Sequence, residues 1–277
     1  MREPAPAKIN LCLLVGPRRG DGRHELVSVM QSITLADELE MLDGARDEVL
    51  CAGVEGPNLA AEALRAFREA TGWDGPGQRI EIRKRIPVAA GLGGGSADAA
   101  AALRLAARRS GLGDRELLLE VAAQLGSDVP GQIAPGRVLA RGAGERIEPL
   151  PDPAPFGVLV LPSRARLATG AVYAQADRIG GLRSAAELAG LLAAEQTGVN
   201  DLEAAARSLE PSIEAALGHA RAAGAAHALV CGSGPTVIGL FDSPQASERA
   251  ANALQAEGVD ALAAEPIRTS RADTAST

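Results

Sequence analysis

The sequence predicts an α+β protein of two domains, and three observations carry that reading. Strand-like and helix-like segments are interspersed without the regular alternation that builds a parallel sheet. The chain has 277 residues, 46% of them hydrophobic and 23% charged, enough for one large or two medium domains. The stretch "IEPLPDPAPFG" gathers four prolines near residue 150, where a junction is expected. Domains over 1–150 and 151–267 follow, with 268–277 expected to be a disordered tail.

The elements can be justified in order. "PAKINLCLLV" alternates as a strand, with Ile9, Leu11, Leu13 and Val15 on a core face and Lys8, Asn10 and Cys12 on the other, where Lys8 and Asn10 read either as a solvated surface or as part of a site. "GPRRGDGRHE" is a turn, and "SITLADELEML" returns as a second strand. Asn58 to Thr71 has helical spacing, and "QRIEIRKRIP" reads as a half-exposed strand reaching Pro87. A glycine loop then opens into the helix "ADAAAALRLAARR", with Ser96 placed as its N-cap and arginines in its last turn. "DRELLLEVAAQLG" gives a further helix and "GRVLARG" a strand. Past the prolines, "VLVLP" is a strand, and Ser184–Glu195 and Leu202–Ala223 are helical. "HALVCGSGPTVIGLF" reads as two strands joined by a glycine turn, and Gln245–Glu257 as the last helix.

Composition excludes several function classes. No apolar run approaches a membrane span, and "MREPAPAKIN" lacks a basic segment followed by an apolar one, so a cytoplasmic protein without membrane contact is expected. Cys12, Cys51 and Cys231 are odd in number and widely spaced, which fits buried apolar residues better than a disulfide framework or a zinc site. A net charge of −7 and an aromatic content of 2% offer neither a phosphate-tracking surface nor base-stacking platforms, so no nucleic-acid partner is expected. Of the 28 basic residues only Lys8 and Lys84 are lysines, so a lysine in this chain stands out.

Four segments carry candidate chemistry. In "RIPVAAGLGGGSADAAAALRLAARR", a glycine-rich loop running into a helix N-terminus aims several backbone N–H groups at one point and suits a phosphate, although a flexible turn would look similar. It lacks the "GK[ST]" of a Walker A loop and the last glycine of a dinucleotide fingerprint. Asp128 in "LGSDVPGQI" is either a turn cap or a general base. Lys8 and Asn10 share one strand face, and "CGSGPT" is either a hairpin turn or a second anion-binding loop.

Taken in order, "PAKINL", "IPVAAGLGGGSADA", "LGSDVP", "VNDLE" and "CGSGPT" resemble the motifs of the GHMP kinase superfamily along nearly the whole chain. "PAKINLCL" followed by "DGRHEL" is most similar to the branch that phosphorylates a cytidine-diphosphate-linked polyol in non-mevalonate isoprenoid synthesis. The resemblance implies a two-domain fold, ribosomal-S5-like then ferredoxin-like, acting on a small molecule with ATP and Mg2+ as a monomer or homodimer. It implies ATP phosphates on Pro87, Ala90, Gly91, Leu92, Gly93, Gly94, Gly95, Ser96 and Ala97, with no firm protein ligand for the metal. It maps a catalytic pair onto Lys8 and Asp128, and acceptor binding onto Asn10, His24, Thr169, Tyr173, Gly232, Ser233 and Gly234. Arg23 departs from the pattern, since that branch has a base-stacking tyrosine before the histidine. The departure keeps a homoserine or mevalonate-type kinase as an alternative, with a non-catalytic ATP-binding regulator as a second one that the Lys8 and Asp128 pair disfavours.

Overall fold

The structure is a computed structural model describing residues 1–54, 56–190 and 197–268. Its backbone gathers into two compact units: Met1–Lys8, Leu35–Val88 and Gly93–Pro135 form the first, and Ile9–Thr34, Ala89–Leu92 and Gly136–Thr277 the second. Strands β1 (Arg2–Arg18) and β2 (His24–Asp43) contribute a segment to each. The proline-rich stretch is the connection between β6 (Arg146–Pro149) and β7 (Gly157–Leu161).

In the first unit the outer half of β2 pairs antiparallel with β4 (Gln78–Arg83), and β3 (Glu48–Cys51) runs parallel beside β4. The strand expected to reach Pro87 stops at Arg83, because the Asp37 carboxylate accepts from the N–H groups of Arg85 and Ile86 at 2.5 and 2.8 Å, where a ladder partner would be. Helix α1 (Leu59–Thr71) is capped by Asn58, whose side chain accepts from Ala60, and it buries Ala60, Ala63, Leu64 and Phe67 at helical spacing. Helix α2 (Gly94–Ser110) packs on α1 and buries Ala97 through Leu103 without a break, which alanine permits because it brings backbones close. Its N-cap is Gly93, in a left-handed conformation at φ 68°, and not Ser96, which lies inside the first turn. Helix α3 (Arg115–Leu125) starts on Asp114, whose carboxylate accepts from Leu117 at 2.9 Å.

In the second unit β5 (Arg137–Gly142) pairs antiparallel with the first half of β2, β6 extends beyond β5, and β8 (Val199–Asn200) lies parallel to β1. A separate antiparallel sheet has the order β11 (Leu262–Ala264), β7, β10 (Val237–Phe241), β9 (His227–Val230). In chain order that is fourth, first, third, second, with helices after the first and third strands: the βαββαβ ferredoxin-like pattern. Those helices are α4 (Thr169–Ile179), α5 (Ala185–Gly190), α6 (Glu203–Leu209), α7 (Ser212–Ala222) and α8 (Pro244–Ala256). Val15, Leu159, Val172, Leu202, Leu217, Val237 and Leu254 share its core. The single helix expected over Leu202–Ala223 divides at Pro211, whose ring cannot continue a helix interior. The part of the Ser184–Glu195 helix beyond Gly190 and the tail from residue 269 lie outside the described residues.

One of the two readings of β1 is overturned with consequence. The face that a solvated surface would expose is covered: Lys8, Asn10 and Cys12 are 6%, 4% and 0% exposed. Alternation in the sequence marks the two faces but does not say that one is wet.

Candidate active site

The first unit holds the charged pair. Lys8 sits on β1 with its Nζ 3.3 Å from Oδ2 of Asp128, in the turn that follows α3. The lysine side chain is 7% exposed and the aspartate 36%, so the ammonium is fixed by its surroundings while the carboxylate can meet a substrate. Gly93 lies against the lysine stem: a Cβ there would stand 2.9 Å from Cγ and 3.1 Å from Cε of Lys8. No side chain caps α2 and its first turn holds no acidic residue, so its leading N–H groups and dipole suit an anion. Gly95 has open space where a Cβ would be, Ser96 is half-buried one residue on, and Ala97 is buried. Pro87 is half-buried at the loop entry.

The same unit buries a second charged group. Lys84 Nζ lies 2.5 Å from Oδ2 of Asp37 and 2.8 Å from Oδ2 of Asp98, on β2 and α2 respectively. Burial outweighs the adjacent ammonium and pushes the Asp98 carboxyl up to about 7, while the two carboxylates raise Lys84 above the ordinary lysine range. Because Asp98 is raised in the folded state, its contribution to stability is complete below about pH 4 and is lost as pH climbs to about 7. The span corresponds to roughly 4 kcal/mol at most. Thermal unfolding at pH 5 and pH 8 should therefore show Asp98→Asn losing less stability than the parent chain on going to the higher pH; equal losses would contradict the shifted carboxyl.

In the second unit α4 presents Thr169, Tyr173 and Asp177 at intervals of four, hence on one face. Asp177 Oδ1 accepts from Nε2 of the buried His24 at 2.8 Å, and the Tyr173 ring stacks on the imidazole at 5.1 Å between centroids. A carboxylate only accepts, so Nε2 carries the proton of this hydrogen bond, and the neutral tautomer that the bond selects has its lone pair on Nδ1. Arg23 folds back onto Asp21, donating from Nε and Nη2 at 3.1 and 3.0 Å. Thr169 and Ser233 share a hydrogen bond at 3.1 Å between their hydroxyls. Asn200 donates to the carbonyls of Val230 and Gly232, which fixes the "CGSGPT" turn. That turn in turn supports the glycine loop: a Cβ on Gly91, at φ 75°, would lie 2.6 Å from the Cys231 carbonyl oxygen and 3.0 Å from that of Gly234. Ala90 and Leu92 are buried and leave only backbone to a ligand. Asn10 is buried with its amide donating to Ser28 Oγ at 2.7 Å.

The structure brings together Lys8 and Asp128, the pair onto which the resemblance maps catalysis, and also His24 and Tyr173, both of which the resemblance assigns to acceptor binding. The sequence reading missed Asp37, Asp98 and Asp177. Only Asp177 left a usable signal, the spacing of four from Tyr173.

A glycine loop opening an uncapped helix, a buried lysine beside an aspartate and a ferredoxin-like second sheet define a small-molecule kinase of the GHMP class. The family described as GHMP kinases N terminal domain matches residues 58–136, and GHMP kinases C terminal matches 174–260. The chain is 42% identical to the 4-diphosphocytidyl-2-C-methyl-D-erythritol kinase of Anaeromyxobacter dehalogenans over 95% of its own length and 90% of that protein's. It is 36% identical to that of Kineococcus radiotolerans, covering 91% of this chain and 84% of that one. A crystal structure of 4-(cytidine 5'-diphospho)-2C-methyl-D-erythritol kinase matches 96% of this chain and 99% of that one at 37% identity and a TM-score of 0.80. Homoserine kinase from Cytophaga hutchinsonii shares the fold at 18% identity and a TM-score of 0.71. The chain belongs to the 4-diphosphocytidyl-2-C-methyl-D-erythritol kinase family.

Proposed function

We propose that this chain transfers the γ-phosphoryl group of ATP to the 2-hydroxyl of 4-diphosphocytidyl-2-C-methyl-D-erythritol. The observation that carries the chemistry is the 3.3 Å pair of buried Lys8 and accessible Asp128, with Gly93 of the loop against the lysine. Phosphoryl transfer asks a protein to align the acceptor oxygen and to balance charge on the phosphate oxygens. Asp128 takes the proton of the attacking hydroxyl as the new oxygen–phosphorus bond forms, and ADP departs with the electrons of the bond that breaks. Lys8 offsets the negative charge at the reacting centre. The N–H groups of Gly94, Gly95 and Ser96 hold the phosphates at the positive end of α2.

Mg2+ would neutralise phosphate charge and travels largely with the nucleotide, since it keeps several waters and phosphate oxygens as ligands. The Ser96 hydroxyl is the protein group suited to join them.

The cytosine end of the acceptor belongs to His24 and Tyr173. With Nε2 committed to Asp177, Nδ1 of His24 accepts from an N–H donor such as the cytosine amino group, and the Tyr173 ring offers a face for stacking. Arg23, held by Asp21, does not take the place of a stacking tyrosine in this arrangement. Asp177→Asn should raise KM for the cytidine-linked acceptor about tenfold, the order of one charge-assisted hydrogen bond, and leave KM for ATP unchanged. Equal acceptor KM in steady-state kinetics would remove Asp177 from base recognition.

The reading is tested by incubating the protein with Mg-ATP and, separately, the cytidyl substrate, homoserine or mevalonate, following ADP release and locating the new phosphate by phosphorus NMR. A phosphomonoester formed on the cytidyl substrate alone is the expected result. Turnover confined to homoserine or mevalonate would overturn the acceptor assignment.

A further inference from the structure

The buried Lys84 cluster plays no part in the chemistry above, yet its three members come from the chain on either side of the glycine loop. Asp37, whose side chain is fully buried on β2, spends one oxygen on the N–H groups of Arg85 and Ile86 and the other on Lys84. Asp98, with a side chain 6% exposed, lies in α2 and takes the same ammonium at 2.8 Å. A Cβ on Gly94, the first residue of α2, would stand 3.3 Å from Lys84 Nζ and 3.1 Å from Cγ2 of Ile86, so the helix start is seated directly on this cluster. The ammonium donates to both carboxylates from one compact head group, smaller than a guanidinium plane, and it belongs to one of only two lysines in a chain that uses arginine at nearly every other cationic position.

We propose that Asp37, Lys84 and Asp98 are positioning residues for the nucleotide: they tie the chain entering the loop at Arg85 and Ile86 to the helix leaving it, and so fix where the N–H groups at the head of α2 point. The inference rests on ATP occupying that helix start. Asp37 orders the entry, Asp98 orders the exit, and Lys84 is the link. Cutting the link frees the head of α2 to shift against Ile86, and a cradle of backbone donors loses affinity when its donors no longer converge.

The test uses the full chain and Mg-ATP. Lys84→Met strands two buried carboxylates and risks misfolding, whereas Asp98→Ala leaves Lys84 paired one to one with Asp37 and cuts only the tie to the helix. Asp98→Asn restores an oxygen that accepts from Lys84. Calorimetric titration of Mg-ATP should show Asp98→Ala binding about tenfold more weakly, with KM for ATP raised in parallel, KM for the acceptor unchanged and Asp98→Asn within about threefold of the parent. A lowered Tm in Asp98→Ala with parental ATP affinity would reduce the cluster to a structural role and overturn the proposal. A parent chain that bound no Mg-ATP would overturn the ATP assignment itself, and the proposal with it.

Discussion

Asp128→Ala is expected to retain ATP binding and to lose about 10² to 10⁴ in kcat, the range that a positioned general base contributes. The direction follows from the geometry. Asp128 is the carboxylate 3.3 Å from Lys8, and it is exposed enough to meet a hydroxyl while its lysine partner is not. Removing it would take away the proposed proton acceptor but not the N–H groups of α2, which belong to the backbone. KM for ATP should therefore stay within about threefold, while Tm should fall, because the buried Lys8 ammonium loses the carboxylate 3.3 Å away. Steady-state kinetics with saturating acceptor, together with calorimetric binding of ATP, would check both halves. An unchanged kcat would transfer the role of base away from Asp128.

Much of this site could be read before any coordinates, for reasons that are themselves physical. A run of glycines and a lysine among arginines are local signals, and they draw attention to the loop around Gly93 and to Lys8. The α+β character follows from the interspersed strand and helix patterns and the ferredoxin-like half from the family resemblance, and the structure reproduces both. What escaped were features made by long-range contact. Alternation in "PAKINLCLLV" separated the faces of β1 but could not show that both are buried. The end of β4 is set by Asp37, more than forty residues earlier, and nothing around Arg83 announces it. Ser96 has the residue type of an N-cap, yet the chain starts α2 three residues sooner, because Gly93 can adopt the left-handed turn and a bare helix start suits an anion. Local preference yields at such places to the demands of the site.

Gly93→Ala should damage the charged pair and the head of α2 together. Two costs coincide at this position. An alanine at φ 68° is strained by about 1–2 kcal/mol. Its Cβ would also stand 2.9 Å from Cγ of Lys8, the root of a buried side chain that cannot swing into solvent as a free chain end would. Relief comes from moving Lys8, which carries Nζ off its position 3.3 Å from Asp128, or from moving the head of α2, which displaces the phosphate donors. A shift of about 1 Å in a reacting arrangement can cost 10²-fold, so kcat/KM should fall by at least about 10², and Tm by several degrees. Gly95→Ala separates the two costs. Gly95 has no atom within 4 Å of its would-be Cβ and sits inside the helix, where alanine is favoured, so Tm should hold or rise and any loss should fall on nucleotide affinity alone. Differential scanning calorimetry beside steady-state kinetics on both variants would decide the matter. Equal activity in Gly93→Ala and the parent would mean that Lys8 does not need the place this glycine leaves for it.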